Sequence, residues 1–299
     1  MKRHRFIEPI CITCLIETAR SFVELSERDI NLQFRKLLAL VHNIESMFKG
    51  DLSSYMELSK RFYDACIRIL GDFKYFDEIK HKSNELALKL APIAERYVSL
   101  ATSIDDKLKR AIKVSLIGNA LDFGTGVYKV SLDWFKQKFH NLLDCEIALD
   151  ESNKLLSYIY NSEKILYVLD NAGEIVFDKL LIKEIKSLRK EVIAVTRGRR
   201  VQNDVTLYDA KCVKLESIVK VITTGSGIAG ILLRDCSKEF LEQLKNADLV
   251  ILKGQGNYQS IDEILRVRKE GIAFLLKVKC EPVAKDLRVC VRDFVVKVY

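Results

Sequence analysis

Four short segments of the chain combine carboxylate, amide or cationic side chains with glycine. They are Asp170-Asn171-Ala172-Gly173-Glu174, then Thr196-Arg197-Gly198-Arg199-Arg200 running into Gln202-Asn203-Asp204, then Thr223-Thr224-Gly225-Ser226-Gly227, and Lys253-Gly254-Gln255-Gly256-Asn257. Asp170, the Asn171 carbonyl and Asp204 are hard oxygen donors, suited to a divalent ion that prefers carboxylate and amide oxygen to nitrogen or sulfur. Two carboxylates balance the ion's charge and leave coordination positions for water and substrate. Lys253 supplies a cation, and its glycine neighbours free backbone amides for close approach to a phosphoryl group. Glu174, at the start of a helical stretch, is a candidate proton-transfer group, or only an acid favoured by the helix dipole. Upstream, Gly118-Asn119-Ala120-Leu121-Asp122-Phe123-Gly124-Thr125-Gly126 brings Asn119 and Asp122 in a glycine-rich setting. Taken singly, each segment also reads as a helix cap or a tight turn. Their weight comes from convergence at one sheet edge.

The positioning elements follow from periodicity. Residues from about 10 to 110 read as successive helices, with apolar positions at spacings of three and four: Leu37, Leu38, Val41, Ile44, Met47 and Phe48, then Phe62, Cys66, Ile67 and Leu70. Lys49-Gly50-Asp51-Leu52-Ser53-Ser54 reads as a helix stop followed by a new N-cap. From about 111 the pattern changes to short apolar runs, Ile165–Leu169, Glu191–Val195, Val219–Ile222, Ala247–Leu252 and Ile272–Val278, alternating with helical stretches. Such runs predict βαβ units and a sheet covered on both faces, with function at the carboxyl ends of the strands. The expected fold is α/β: a three-layer Rossmann-like, mostly parallel sheet in residues 111–299, with an all-α helical domain in residues 1–110.

Two motifs invite other chemistry. Gly225-Ser226-Gly227-Ile228-Ala229-Gly230 has the form G-x-G-x-x-G after a strand, the pattern of an S-adenosylmethionine-dependent methyltransferase or nucleotide-binding enzyme. A dinucleotide site should carry an acid at the end of the next strand, and here Lys253 stands there. An anion site at the start of the following helix fits the same glycines, Gly225 included. Cys11-Ile12-Thr13-Cys14 has the spacing of half a zinc site or a redox pair, but no second close pair follows and His4, His42, His81 and His140 are scattered. A distant residue such as Cys280 could join that pair only through folding. Cys66, Cys145, Cys212, Cys236 and Cys290 read as small buried hydrophobes.

Composition bounds the rest. The chain has 299 residues, 48% of them hydrophobic, which is ample for packed cores and excludes disorder. No run approaches the ~18 to 20 apolar residues of a membrane span, and Met1-Lys2-Arg3-His4-Arg5-Phe6 opens no signal sequence, so a cytoplasmic protein without membrane attachment is expected. The net charge of +8 arises from 49 basic and 41 acidic residues interleaved along the chain, a pattern of solvated surface rather than nucleic-acid binding.

G-N-A-L-D-F, D-N-A-G-E, N-D-V-T-L-Y-D-A and K-G-Q-G-N-Y occur in that order, with C-I-T-C near the start and K-C-E-P-V-A near the end. Together they resemble the metal-dependent damage-control phosphatase family, long described as a domain of unknown function and once linked to carboxyl methyltransferase activity, most closely its stand-alone prokaryotic branch. The resemblance spans most of the chain. It implies a Rossmann-like domain joined to a helical one, and hydrolysis of phosphate monoesters of damaged or surplus small metabolites with cobalt, nickel, manganese or magnesium. It further implies metal ligation by Asp170, Asn171 and Asp204, and phosphate binding by Lys253 and its loop, Gly254 and Asn257, with Asn119 and Asp122 lining the site.

Overall fold

A computed structural model of the chain describes residues 5–49, 54–122 and 131–299. Met1–His4, the Gly50–Ser53 part of the expected helix stop and N-cap, and the Phe123–Gly126 end of the upstream glycine-rich segment lie outside the described residues.

The first half contributes α1 (Ile10–Ser26), α2 (Ile30–Phe48), α3 (Tyr55–Leu70), a 3-10 turn at Phe73–Phe76, α4 (Asp77–Ser99) and α5 (Ile104–Gly118). Side-chain caps start most of them: Asp29 accepts from the Leu32 amide, Ser54 from Glu57 and Ser103 from Asp106. Phe22, Phe62, Phe73 and Phe76 close a separate core between α1, α2 and α3. Leu40, Ile44 and Met47 carry the buried face of α2, while Leu38 is 67% exposed, so its side of the expected stripe faces outward. The expected change of grammar near residue 111 falls inside α5, which packs on a helix of the second half.

That second half runs α6 (Leu132–Leu143), β1 (Leu149–Asp150), α7 (Ser152–Asn161), β2 (Lys164–Val168), α8 (Glu174–Ser187), β3 (Glu191–Thr196), α9 (Leu207–Cys212) and β4 (Lys220–Thr223). It continues with α10 (Lys238–Asn246), β5 (Leu249–Lys253), α11 (Gly254–Tyr258), α12 (Ile261–Ile264), β6 (Ile272–Lys277), α13 (Glu281–Leu287) and β7 (Phe294–Val298). The sheet order is β1-β7-β6-β5-β2-β3-β4, parallel from β4 to β6, with β7 antiparallel to β6. Both faces are buried, as continuous apolar strands require. Ile165, Tyr167, Leu249 and Ile251 pack with α4, α5 and α8, and Leu166, Val168, Val250 and Leu252 pack with α10 to α13. The architecture is therefore α/β, with helices on both faces of a mostly parallel sheet. No helix among the described residues is long and apolar enough to cross a membrane.

Candidate metal and phosphate site

The parallel strands β2, β3, β5 and β6 deliver their carboxyl ends to one edge, beneath a cavity of about 470 Å³ closed on the other side by α1 and α3. Asp170, two residues beyond β2, is fixed through its carbonyl, which accepts from the Val205 amide at 2.8 Å. Asn171 bridges antiparallel to Asp204, so the first carboxylate–amide pair and the second carboxylate meet although 34 positions apart. All three line the cavity.

Their partners define which oxygens remain. Asp170 Oδ2 accepts from Asn119 Nδ2 at 3.0 Å and Asn171 Nδ2 at 2.7 Å. The buried Arg197 donates from Nε to Asp204 Oδ2 at 2.7 Å, and its far end lies 3.7 Å from Asp170 Oδ1. Asn171 Oδ1 accepts from Asn203 Nδ2 at 2.9 Å, while Asn203 Oδ1 is buried with no partner among the described residues. Gly254, at φ +79°, passes so close that a Cβ there would sit 1.8 Å from Asp170 Oδ2. Only glycine permits that approach.

A second layer lies underneath. Lys253 Nζ donates to Glu174 Oε1 at 2.6 Å, Asp178 Oδ1 at 2.8 Å and the Ser115 carbonyl at 3.0 Å. Glu174 Oε2 accepts from Asn119 at 2.8 Å and Asn171 at 3.1 Å, and Asp178 also accepts from Tyr167 and Ser115. Burial pushes the Asp170 carboxyl well above its ordinary range, with Asp204 and Glu174 adding repulsion. Burial likewise lifts Asp204 to about 6 against the opposing pull of Arg197, and Asp178 to about 6 against that of Lys253.

These groups fit a divalent ion. Among the described residues Asp122, Asp170, Glu174, Asp178 and Asp204 face Arg197, Lys253 and Lys279, an excess of two carboxylates over cations when all are ionised. One divalent cation would balance that excess, and the donor set of two carboxylates and an amide oxygen is hard in character. Among the described residues no cluster of three His, Cys, Asp or Glu side chains is arranged to hold a metal.

The expected residues divide into two groups. Asp122, Asp170, Asn171 and Asp204 line the cavity. Lys253, Glu174, Asn119 and Asn257 are fully buried around or beneath it. The three donors of Lys253 all go to protein oxygens, so its ammonium is a support for Glu174 and Asp178 rather than a free phosphate contact. Asn257 accepts from Arg197 and donates to the Lys253 carbonyl. Lys279, two residues beyond β6 and ion-paired with Asp122, lies on the cavity wall beside the carboxylates, and Arg292 also lines the cavity. The sequence offered Lys279 as the first residue of K-C-E-P-V-A, with no role assigned, although a lysine after a fifth apolar run sits where a strand-end residue should.

The Gly225–Gly230 loop differs from expectation. Gly225 is packed against Gly198 and Ser237, its amide donates to Thr223 Oγ1, and it is not on the cavity wall. No helix begins at these glycines; α10 starts at Lys238 under its own Ser237 cap, so the strand-turn-helix geometry of an anion or dinucleotide site is absent there. The C-x-x-C also acquires a place: Cys11, Cys14 and Cys280 line the same cavity as Asp170. Of the remaining cysteines Cys66 is buried as expected, but Cys212 and Cys290 are exposed because they fall at the last turn of α9 and in the loop before β7.

Comparison with known proteins agrees with this architecture. The model of the damage-control phosphatase ARMT1-like domain matches residues 7–295. An uncharacterized protein of Methanocaldococcus jannaschii is 35% identical over 289 residues, covering 96% of this chain and 93% of the relative. Damage-control phosphatase PH1575 of Pyrococcus horikoshii is 35% identical over 288 residues, covering 93% of each chain. A damage-control phosphatase of Archaeoglobus fulgidus is 32% identical over 299 residues, covering 98% of this chain and 99% of that one. The crystal structure of a DUF89 family protein from Pyrococcus horikoshii superposes with a TM-score of 0.84 at 30% identity, covering 98% of both chains. With a family match across nearly its whole length and relatives of this identity, the chain belongs to the damage-control phosphatase ARMT1-like family.

Proposed function

We propose that this protein is a metal-dependent phosphatase that hydrolyses phosphate monoesters of small damaged or surplus metabolites. The observation that carries the proposal is the convergence of Asp170, Asn171 and Asp204 on one cavity wall above a buried cluster rich in carboxylates. The names of two relatives, damage-control phosphatases both, support the reaction class and a role in metabolite repair.

Asp170, Asn171 and Asp204 would hold the ion, which when bound supplies Lewis acidity toward a phosphoryl oxygen; cobalt, nickel, manganese and magnesium suit this donor set. Arg197 fixes Asp204 and stands beside Asp170, so neither carboxylate must reorganise. Lys279 is the cation best situated to meet the phosphate, and exchange of its Asp122 partner for substrate would retain its charge. Glu174 orients Asn119 and Asn171 from below and is itself held by Lys253. Phosphate release from a panel of monoesters, measured with each divalent ion and after chelation, tests the proposal. Absence of metal-dependent turnover on every ester refutes it.

A further inference from the structure

The cavity above Asp170 is chemically divided. At the sheet edge it carries Asp122, Asp170, Asn171, Asp204 and Lys279. Toward α1, α3 and the start of α13 most of its surface is hydrocarbon, ring and thiol, from Ile10, Cys14, Leu15, Phe62 and Pro282 among others, interrupted by Ser59, Gln259, Glu281 and Arg292. Several polar atoms on that wall are already occupied. Thr18 Oγ1 donates to the Cys14 carbonyl at 2.8 Å, the Cys11 thiol donates to the Phe6 carbonyl at 3.4 Å, and Cys280 Sγ accepts from Gln255 Nε2 at 3.4 Å. Burial keeps the thiols neutral, pushing Cys14 up to about 11 and Cys280 up to about 12. A neutral thiol is a weak donor and acceptor, and a soft apolar surface. Raised thiol pKa values are also the reverse of what a reactive cysteine needs.

We propose that this wall is a leaving-group subsite for an alkyl or aryl moiety, so that the favoured substrates are phosphate monoesters of apolar alcohols rather than of polyols. This rests on the phosphatase assignment for the phosphate end alone. A polyol entering the same space would surrender hydration against a mostly apolar surface with few polar groups, which disfavours it, whereas each methylene removed from water gains affinity. The cavity, at about 470 Å³, is of ordinary small-molecule size.

The test is calorimetric titration of the full chain, in magnesium, with n-alkylphosphonates from methyl to hexyl and with a hydroxyl-bearing phosphonate of matched length. Affinity should rise about twofold to fourfold per methylene, and the hydroxylated probe should bind at least about tenfold more weakly than its alkyl match. Cys14→Asp should reduce the hexyl-to-methyl affinity ratio by about tenfold or more. Ile10→Gln, at a position 44% exposed, gives a second readout at a site that tolerates polarity. A flat series, or tighter binding of the hydroxylated probe, overturns the proposal. Turnover is measured in parallel on a simple aryl phosphate: a rising series without turnover supports the subsite and refutes the phosphatase assignment, while turnover with a flat series does the opposite.

Discussion

Gly254→Ala is the most economical test of the metal-site geometry. Gly254 adopts φ +79° and its missing Cβ would lie 1.8 Å from Asp170 Oδ2. Carbon atoms do not approach neighbours closer than 3.0 Å, so the carboxylate must retreat by roughly 1.2 Å, the difference between those two distances. Asp170 cannot follow as a unit because its carbonyl is tied to the Val205 amide. The side chain must then release one or both of its bonds from Asn119 and Asn171, each to a charged acceptor worth about 1.5–3 kcal/mol. Left-handed backbone strain adds about 1–2 kcal/mol for alanine. A total loss of about 3–5 kcal/mol, against an unfolding entropy of about 0.6 kcal/mol/K for a chain this long, lowers Tm by about 5–8 °C. Turnover should fall by about a hundredfold or more, since a catalytic ligand displaced by ~1 Å loses that much. Circular dichroism melts and phosphate release on one protein preparation measure both. A variant with Tm within about 1 °C of the parent and activity within about twofold refutes the close packing of Gly254 on a functional Asp170.

Three further outcomes are expected. Dialysis against a chelator should abolish phosphate release and cobalt, nickel, manganese or magnesium should restore it; full turnover in demonstrably metal-free protein excludes the ion's role. Lys279→Ala should keep its fold and lose about 2–4 kcal/mol of transition-state stabilisation, while Lys253→Ala should lower stability by about 3–5 kcal/mol by leaving Glu174 and Asp178 buried without their cation. The reverse pattern in melts and kinetics refutes the two assignments. Burial holds the Asp178 and Asp204 carboxyls at about 6, above the ordinary value of 3.8, so the folded chain keeps protons that the unfolded chain loses between those values. That stabilisation of metal-free protein is full below pH ~4 and is lost as pH rises through ~6, on the order of 3 kcal/mol per group. An ion selects ionised Asp204, so the Tm gap between metal-loaded and chelated protein should widen from pH 5 to pH 7; a constant gap contradicts the assignment.

The sheet was legible because its strands are buried on both faces. Ile165–Leu169 and Glu191–Val195 lie within a residue of β2 and β3, and Ala247–Leu252 covers most of β5. β1 spans two residues, Leu149 and Asp150, too few to show a period, and β7, which follows α13, runs antiparallel to β6 and so departs from the βαβ pattern. Asp170, Asn171 and Asp204 were legible for a related reason: oxygen donors at strand ends are brought together by topology alone. Which lysine meets the cavity was not legible. Lys253 and Lys279 both stand at or just beyond a strand end, and what separates them is a partner set delivered from α5 and α8, far away in sequence: Ser115, Glu174 and Asp178. Arg197 was hidden similarly, as one cation in a basic run whose neighbours Arg199 and Arg200 reach elsewhere.

The burial of Lys253 also orders events at the site. A lysine whose three donors are bound to Glu174, Asp178 and Ser115 has none left for a phosphate. Its charge is already spent on two of the five carboxylates, and Arg197 serves Asp204 with its tail toward Asp170. A phosphate dianion entering before any cation would therefore meet a floor rich in carboxylates, and wherever these are ionised their burial leaves the repulsion weakly screened. Burial raises Asp170 and Asp204 toward the neutral form, and a divalent ion held there would favour their ionised form, with the protons released to solvent, and would offset their charge. On the proposed assignment, phosphate affinity is expected to depend on prior occupancy of Asp170, Asn171 and Asp204 by the ion, with Lys279 and Asp122 adjusting the remaining charge at the cavity wall.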